Sequence, residues 1–301
     1  MIISYDISEL IPYINWPYFF FAWQVKEPSG KDRLRQEAES LLQQLEGKYH
    51  AYGLFELFDA HSDGDDIVVG KKGVRSQESG VSRIPCLRQQ QGNPPYLCLS
   101  DFLPPYIIST DSCLLTPDSC PLTPDSCPLT PDSCPLTPDS SKIGVFASSV
   151  SHGLETDFDS DPYQKMMAQL LADRLAEAAA ERMHEQVRKE YWGYAKDENL
   201  SIPDMLVERF QGIRPAVGYP SLPDTSLNFV LDDLIDMKQI GIRLTESGAM
   251  KPHASVSGLM LAHPEARYFS IGKIGEDQLR DYANRRGLPL ELCRKFIAGN
   301  L

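Results

Sequence analysis

Leu34, Ala38, Leu41, Leu42 and Leu45 recur at i, i+4, i+7, i+8 and i+11, the apolar stripe of an amphipathic helix. Lys31, Arg35, Glu37 and Glu39 fall on its polar face, and Gly47 marks its end. Next, the apolar runs 52–58 and 67–69 flank Asp63-Gly64-Asp65-Asp66, which predicts an antiparallel strand pair closed by a turn. Residues 96–102 and 143–146 read as further strands of one sheet. The longest helical pattern, 162–190, opens on Asp161-Pro162 and buries Met167, Leu171, Leu175, Ala178 and Met183. Asp173, Glu177 and His184 stand at i, i+4 and i+11, which a period of about 3.6 places on one polar face of that helix. Beyond it, 228–240 predicts a short helix, 256–261 and 268–274 predict strands, and 276–286 and 290–298 predict closing helices. Strands mixed with helices in no strict alternation define an α+β class rather than a doubly wound parallel sheet.

One segment breaks every periodicity. From Cys113 to Ser140 the chain repeats Cys-Pro-Leu-Thr-Pro-Asp-Ser, and proline at that density removes the backbone donors that helix or sheet requires. The expected form is an extended, mobile loop inserted into a single domain spanning 1–301. The repeat also holds Cys113, Cys120, Cys127 and Cys134, so only Cys86, Cys98 and Cys293 of the seven cysteines lie in ordinary sequence. That remainder suits reduced thiols, and the seven-residue spacing is not that of a zinc site, so no metal is expected.

With 42% hydrophobic and 24% charged residues the chain is an ordinary globular protein. Its formal net charge of -13 disfavours nucleic acid and anionic lipid as partners. The apolar run 13–25 falls well short of the ~20 residues a membrane span needs and is interrupted by Asn15 and Pro17. Asp6 and Glu9 stand where a secretory signal would be basic, so a cytoplasmic location is expected.

Two segments carry candidate chemistry. In 211–220, Arg214 offers a carboxylate two parallel hydrogen bonds, Ala216 and Gly218 admit close backbone approach, and Tyr219 offers an aromatic cover. Taken alone, the segment is equally a Pro/Gly turn with a surface arginine. The run 244–258 is rich in small hydroxylated residues, as where a backbone passes close to a ligand or to another strand. No Gly-x-Gly-x-x-Gly, Walker loop or Ser-His-Asp order is present.

Glu9-Leu10-Ile11-Pro12-Tyr13-Ile14-Asn15-Trp16, Gly64-Asp65-Asp66-Ile67, Leu99-Ser100-Asp101-Phe102, Ala172-Asp173-Arg174-Leu175-Ala176-Glu177 and Tyr191-Trp192-Gly193-Tyr194 precede the Arg214 segment. Leu244-Thr245-Glu246-Ser247 and Ala254-Ser255-Val256-Ser257-Gly258 follow it. In this order the segments resemble the C-terminal activation domain of cobalamin-dependent methionine synthase, over the whole chain apart from the repeat. The resemblance implies a C-shaped α+β module around a twisted antiparallel sheet that binds S-adenosylmethionine. It implies that Arg214 holds the ligand's carboxylate, that Ala216, Gly218 and Tyr219 line it, and that Tyr268 and Phe269 meet the adenosyl part. Asp173 and Glu177, with Glu208, would face the sulfonium end.

One position departs from the family pattern. Where the family commonly has an aspartate meeting the ligand's ammonium group, this chain has Asn15. Losing that charge is expected to weaken binding by about 1 kcal/mol, so Asn15→Asp should tighten it in calorimetry. The implied chemistry is reductive methylation, in which flavodoxin or a similar donor reduces inactive cob(II)alamin and S-adenosylmethionine supplies the methyl group. No cobalamin-, folate- or homocysteine-binding region is recognised in the sequence, so the expected cobalamin carrier is a separate methionine synthase polypeptide. Two alternatives remain open at this stage: service to another corrinoid methyltransferase, and a non-catalytic S-adenosylmethionine-binding module.

Overall fold

The computed structural model describes residues 1–70, 81–105, 141–158 and 160–301. The expected loop of repeats at 113–140 lies outside them.

The elements follow in the order β1 (Ile2–Tyr5), α1 (Ile7–Leu10), α2 (Trp16–Ala22), α3 (Pro28–Leu45), β2 (Ala51–Asp63), β3 (Asp66–Gly70), β4 (Val81–Pro85), β5 (Lys142–Val150) and α4 (Pro162–Gln186). After them come α5 (Ile202–Leu206), α6 (Leu227–Ile235), β6 (Arg243–Leu244), β7 (Met250–Lys251), β8 (Ser255–Met260), α7 (Glu276–Arg286) and α8 (Leu290–Phe296). The main sheet is antiparallel throughout, in the order β4-β3-β2-β5-β8, with β1 pairing β2 as well. The architecture is α+β, as the interspersed pattern predicts.

The expected hairpin is present: Asp63 pairs with Asp66 across Gly64 and Asp65. Such a two-residue loop needs positive φ, which Gly64 adopts at 59°. Alternation along the strands sorts side chains to two faces. Phe55, Phe146 and Met260 join a core with the apolar sides of α3 and α4, whereas Leu54, Phe58, Val145 and Leu259 join one with α6. All five stripe residues of α3 are buried in the first core, and each leucine there contributes about 1.5–3 kcal/mol.

α4 begins as read. Pro162 opens it, and the Asp161 side chain accepts from the Tyr163 and Gln164 N–H groups at 2.9 and 3.3 Å. Its five expected core residues are buried, and the Ser148 hydroxyl donates to the Ala176 carbonyl at 2.9 Å, fixing the helix on β5. The helix ends in a π turn, Val187–Tyr191, instead of continuing to residue 190 as one α-helix.

Three other expectations need correction. Residues 96–102 form no strand: a single bridge joins Arg88 and Cys98, and Leu99–Phe102 closes into a 3-10 turn. Asp101 accepts from the Cys98 N–H and from Arg88, so side chains hold this segment where a ladder was expected. Residues 268–274 also lack a ladder, tied down by the Ile271 N–H to Pro220 and interrupted by Gly272 at φ 69°. The helix expected at 228–240 stops at Ile235, because Asp236 is left-handed at φ 50°, and resumes as a 3-10 turn, Met237–Ile240. No helix among the described residues is long and apolar enough to cross a membrane.

Candidate functional site

The outer edge of β8 holds the Arg214 segment. Ile213 and Leu261 exchange both backbone hydrogen bonds at 2.9 Å, the Leu259 N–H donates to the Pro215 carbonyl at 3.0 Å, and the Val217 N–H donates to the Ser257 carbonyl at 2.9 Å. Proline lacks a donor but keeps its acceptor, so Pro215 stiffens the segment without losing this contact. A Cβ at Gly258 would stand 2.2 Å from the Pro215 oxygen and 2.8 Å from the Ala216 Cα. The close passage expected in 244–258 is therefore made by the Arg214 segment itself. Gly258→Ala should displace that segment and cost about 1–3 kcal/mol, checked by the denaturant midpoint.

Held this way, the Arg214 side chain enters the space between β5 and α4, where only 11% of it stays exposed. Its guanidinium pairs with Glu181 and lies 5.6 Å from the Phe146 ring centroid, and its Nε is buried without a hydrogen-bond partner. Its backbone N–H donates to the Tyr268 hydroxyl at 2.8 Å. On α4, Arg174 forks onto both oxygens of Glu177 at 2.7 and 3.1 Å. Glu208, just beyond α5, takes a left-handed φ of 62°.

These groups surround a cavity of about 680 Å³, within the range of small-molecule sites. Of the residues the family resemblance implicates, Asn15, Glu177, Glu208, Arg214, Ala216, Tyr219, Tyr268 and Phe269 line it. Gly218 does not: at φ 88° it donates its N–H to the Leu222 carbonyl at 2.8 Å and shapes the turn that presents Tyr219. Asp173 sits one helical turn before Glu177, in an adjoining depression with the His253 Nδ1 at 3.6 Å. Burial pushes the carboxyls of Asp173, Glu177 and Glu208 above their usual range. Nearby cations oppose that rise in all three, and the neighbouring Glu181 adds to it at Glu177 and Glu208.

His184 does not share the polar face of α4. It is fully buried, edge-on to the Phe210 ring at 4.9 Å between centroids, and burial holds its pKa well below the usual histidine value. The helix face is open at residues 173–177 but covered at 184 by the chain returning through Phe210. Conversely, Tyr13, Tyr18, Arg174 and Glu181 line the cavity without having been singled out. Arg174, Glu177 and Glu181 stand at i, i+3 and i+7, steps of three and then four, a signal present in the sequence. Nothing local distinguishes Tyr13 and Tyr18 from the other aromatics around them.

Fold and cavity together define an α+β module with a cavity of small-molecule size, in which a buried arginine and several carboxylates gather between the sheet edge and the longest helix. Residues 6–287 match the family described as "Vitamin B12 dependent methionine synthase, activation domain", and the chain belongs to that family. It is also similar to a crystal structure of the MetH reactivation domain bound to AdoHcy, at 34% identity and a TM-score of 0.81, with 100% of this chain and 90% of that one covered.

Proposed function

We propose that the chain binds S-adenosylmethionine in the 680 Å³ cavity and supports reductive methylation of cobalamin carried by a separate methionine synthase polypeptide in the cytoplasm. The observation that carries this reading is the buried Arg214 guanidinium in a cavity otherwise rich in carboxylates. AdoHcy, bound in the related reactivation domain, is the same ligand without the transferred methyl group.

In this reading Arg214 takes the ligand's carboxylate, whose oxygens suit its planar fork. Asn15 accepts a hydrogen bond from the ammonium group. Ala216 and Tyr219 line the ligand, with Gly218 shaping their turn, while Tyr268 and Phe269 meet the adenosyl part. Glu177 and Glu208 face the sulfonium, with Asp173 at the margin. The arginines Arg174 and Arg214 against the carboxylates Glu177, Glu181 and Glu208 leave the lining one net negative charge, 2 − 3 = −1. S-adenosylmethionine, with two cationic groups and one carboxylate, carries the complementary charge.

Reduced cobalamin supplies the nucleophile for the methyl group, with flavodoxin or a similar donor as electron source. This chain's residues hold and orient the sulfonium, a contribution of proximity and not of proton transfer.

Affinity for S-adenosylmethionine should fall as pH drops through the raised pKa values of Glu177 and Glu208, above the ordinary carboxylate range. The sign follows from linkage: a bound cation favours the ionised carboxylates, so binding releases protons and strengthens with rising pH until both groups are ionised. Uncharged-sulfur AdoHcy should depend less on pH, and calorimetry at several pH values compares the two. The function is tested by mixing the chain with methyl-labelled S-adenosylmethionine and reduced cobalamin-loaded synthase. Label on cobalt supports the proposal. Binding without transfer leaves a non-catalytic module, and transfer only to another corrinoid protein reassigns the partner.

A further inference from the structure

We propose that Glu181 is the anionic partner of the ligand's α-ammonium group, and that it exchanges Arg214 for that group when the ligand's carboxylate arrives. The inference rests on S-adenosylmethionine placing its carboxylate on Arg214. In an α-amino acid, two bonds of about 1.5 Å each separate the ammonium nitrogen from the carboxylate carbon. Whatever receives the ammonium must therefore stand beside the arginine.

Three cavity carboxylates compete for that place. Both oxygens of Glu177 already accept from Arg174. Glu208 lies on the turn after α5 and makes no ion pair with Arg214 among the described residues. Glu181 has its Oε1 on the Arg214 Nη2, one hydrogen bond from where the ligand's carboxylate would sit, and its side chain is 20% exposed. α4 also carries it one turn beyond Glu177, so a rigid helix fixes its backbone.

The exchange keeps every charge paired. Without ligand, Glu181 balances an arginine that would otherwise be buried and uncompensated. With ligand, Arg214 faces one carboxylate and Glu181 faces one ammonium, two charge-assisted contacts where there was one. Asn15 lines the same cavity but brings no charge, so Glu181 supplies the ionic half of ammonium recognition.

The test is calorimetry on the full chain carrying Glu181→Gln, with three ligands: S-adenosylmethionine, AdoHcy, and 5′-methylthioadenosine, which lacks the amino-acid head. Loss of one charge-assisted contact should weaken the first two by a common factor of about tenfold or more and leave the third unchanged. Glu181→Asp should bind within a few-fold of the unsubstituted chain. Asn15→Asp should tighten binding by a larger factor in the Glu181→Gln background than in the unsubstituted chain, a coupling that a purely structural role for Glu181 would not give.

Unchanged or tighter binding by Glu181→Gln overturns the inference, because Glu181 would then only occupy Arg214. So does equal weakening of all three ligands, or an Asn15→Asp gain no larger in the Glu181→Gln background than in the unsubstituted chain. If the unsubstituted chain binds neither S-adenosylmethionine nor AdoHcy, the proposed function itself falls, an outcome distinct from failure of the Glu181 substitutions alone.

Discussion

Arg214→Met should lower S-adenosylmethionine affinity by about 100-fold or more, with Arg214→Lys falling between it and the unsubstituted chain. Each hydrogen bond from a charged group contributes about 1.5–3 kcal/mol, and a fork onto a carboxylate makes two of them. Every 1.4 kcal/mol or so is a factor of ten. The site enlarges the effect, because Arg214 is almost wholly withdrawn from solvent and water cannot replace it as partner. Lysine restores the charge as a point, without the planar fork. Arg214→Met also strands Glu181 among other carboxylates, so the unfolding midpoint must be measured beside the affinity and the affinity taken on folded protein. Binding of Arg214→Met within a few-fold of the unsubstituted chain would remove Arg214 from its assigned role.

Local regularity made the framework legible in the sequence. The α3 stripe, the β2–β3 hairpin and the Asp161-Pro162 opening of α4 are written in spacings shorter than a dozen residues, and the structure holds each of them. Where expectation and structure part, long-range geometry decides. Residues 268–274 are apolar enough for a strand, but a strand exists only if another lies alongside, and here two separate segments supply one carbonyl each, those of Pro220 and Asn300. Residues 96–102 are similar: Arg88, reaching Asp65 and Asp101, organises them through side chains.

The candidate site divides along the same line. Arg214 stood out because its own neighbours, Pro215, Ala216 and Gly218, are unusual. Glu181 did not, since a glutamate on an amphipathic helix usually faces water and only the return of residue 214 across 33 positions of chain gives it a buried cation. His184 fails the opposite way: helical phase puts it with Asp173 and Glu177, but phase cannot say that Phe210 will lie over one end of the face and not the other.

Glu198→Ala should destabilise the fold by about 3–5 kcal/mol and loosen the ligand segment with it. Arg188, in the π turn that ends α4, is fully buried, and its Nη2 and Nε donate to Glu198 at 2.6 and 3.0 Å. Its guanidinium lies 4.3 Å from the centroid of the Phe210 ring, whose other neighbour is His184. Phe210 opens the run that leads through Gly212 to Arg214, so the ion pair underpins the anchor of the site. Removing Glu198 leaves a cation in the interior, and neighbouring His184, held neutral by burial and by Arg188 and Arg214, brings no negative charge to replace it. Arg188→Met combined with Glu198→Leu removes both charges and should recover most of the lost stability, as replacement of buried ion pairs by apolar residues often does. A denaturant-midpoint cycle over the two single variants and the pair measures this coupling. Salt should barely change it, because a buried pair is weakly screened. A Glu198→Ala chain unfolding at the same midpoint as the unsubstituted one would show that the ion pair does not support the fold.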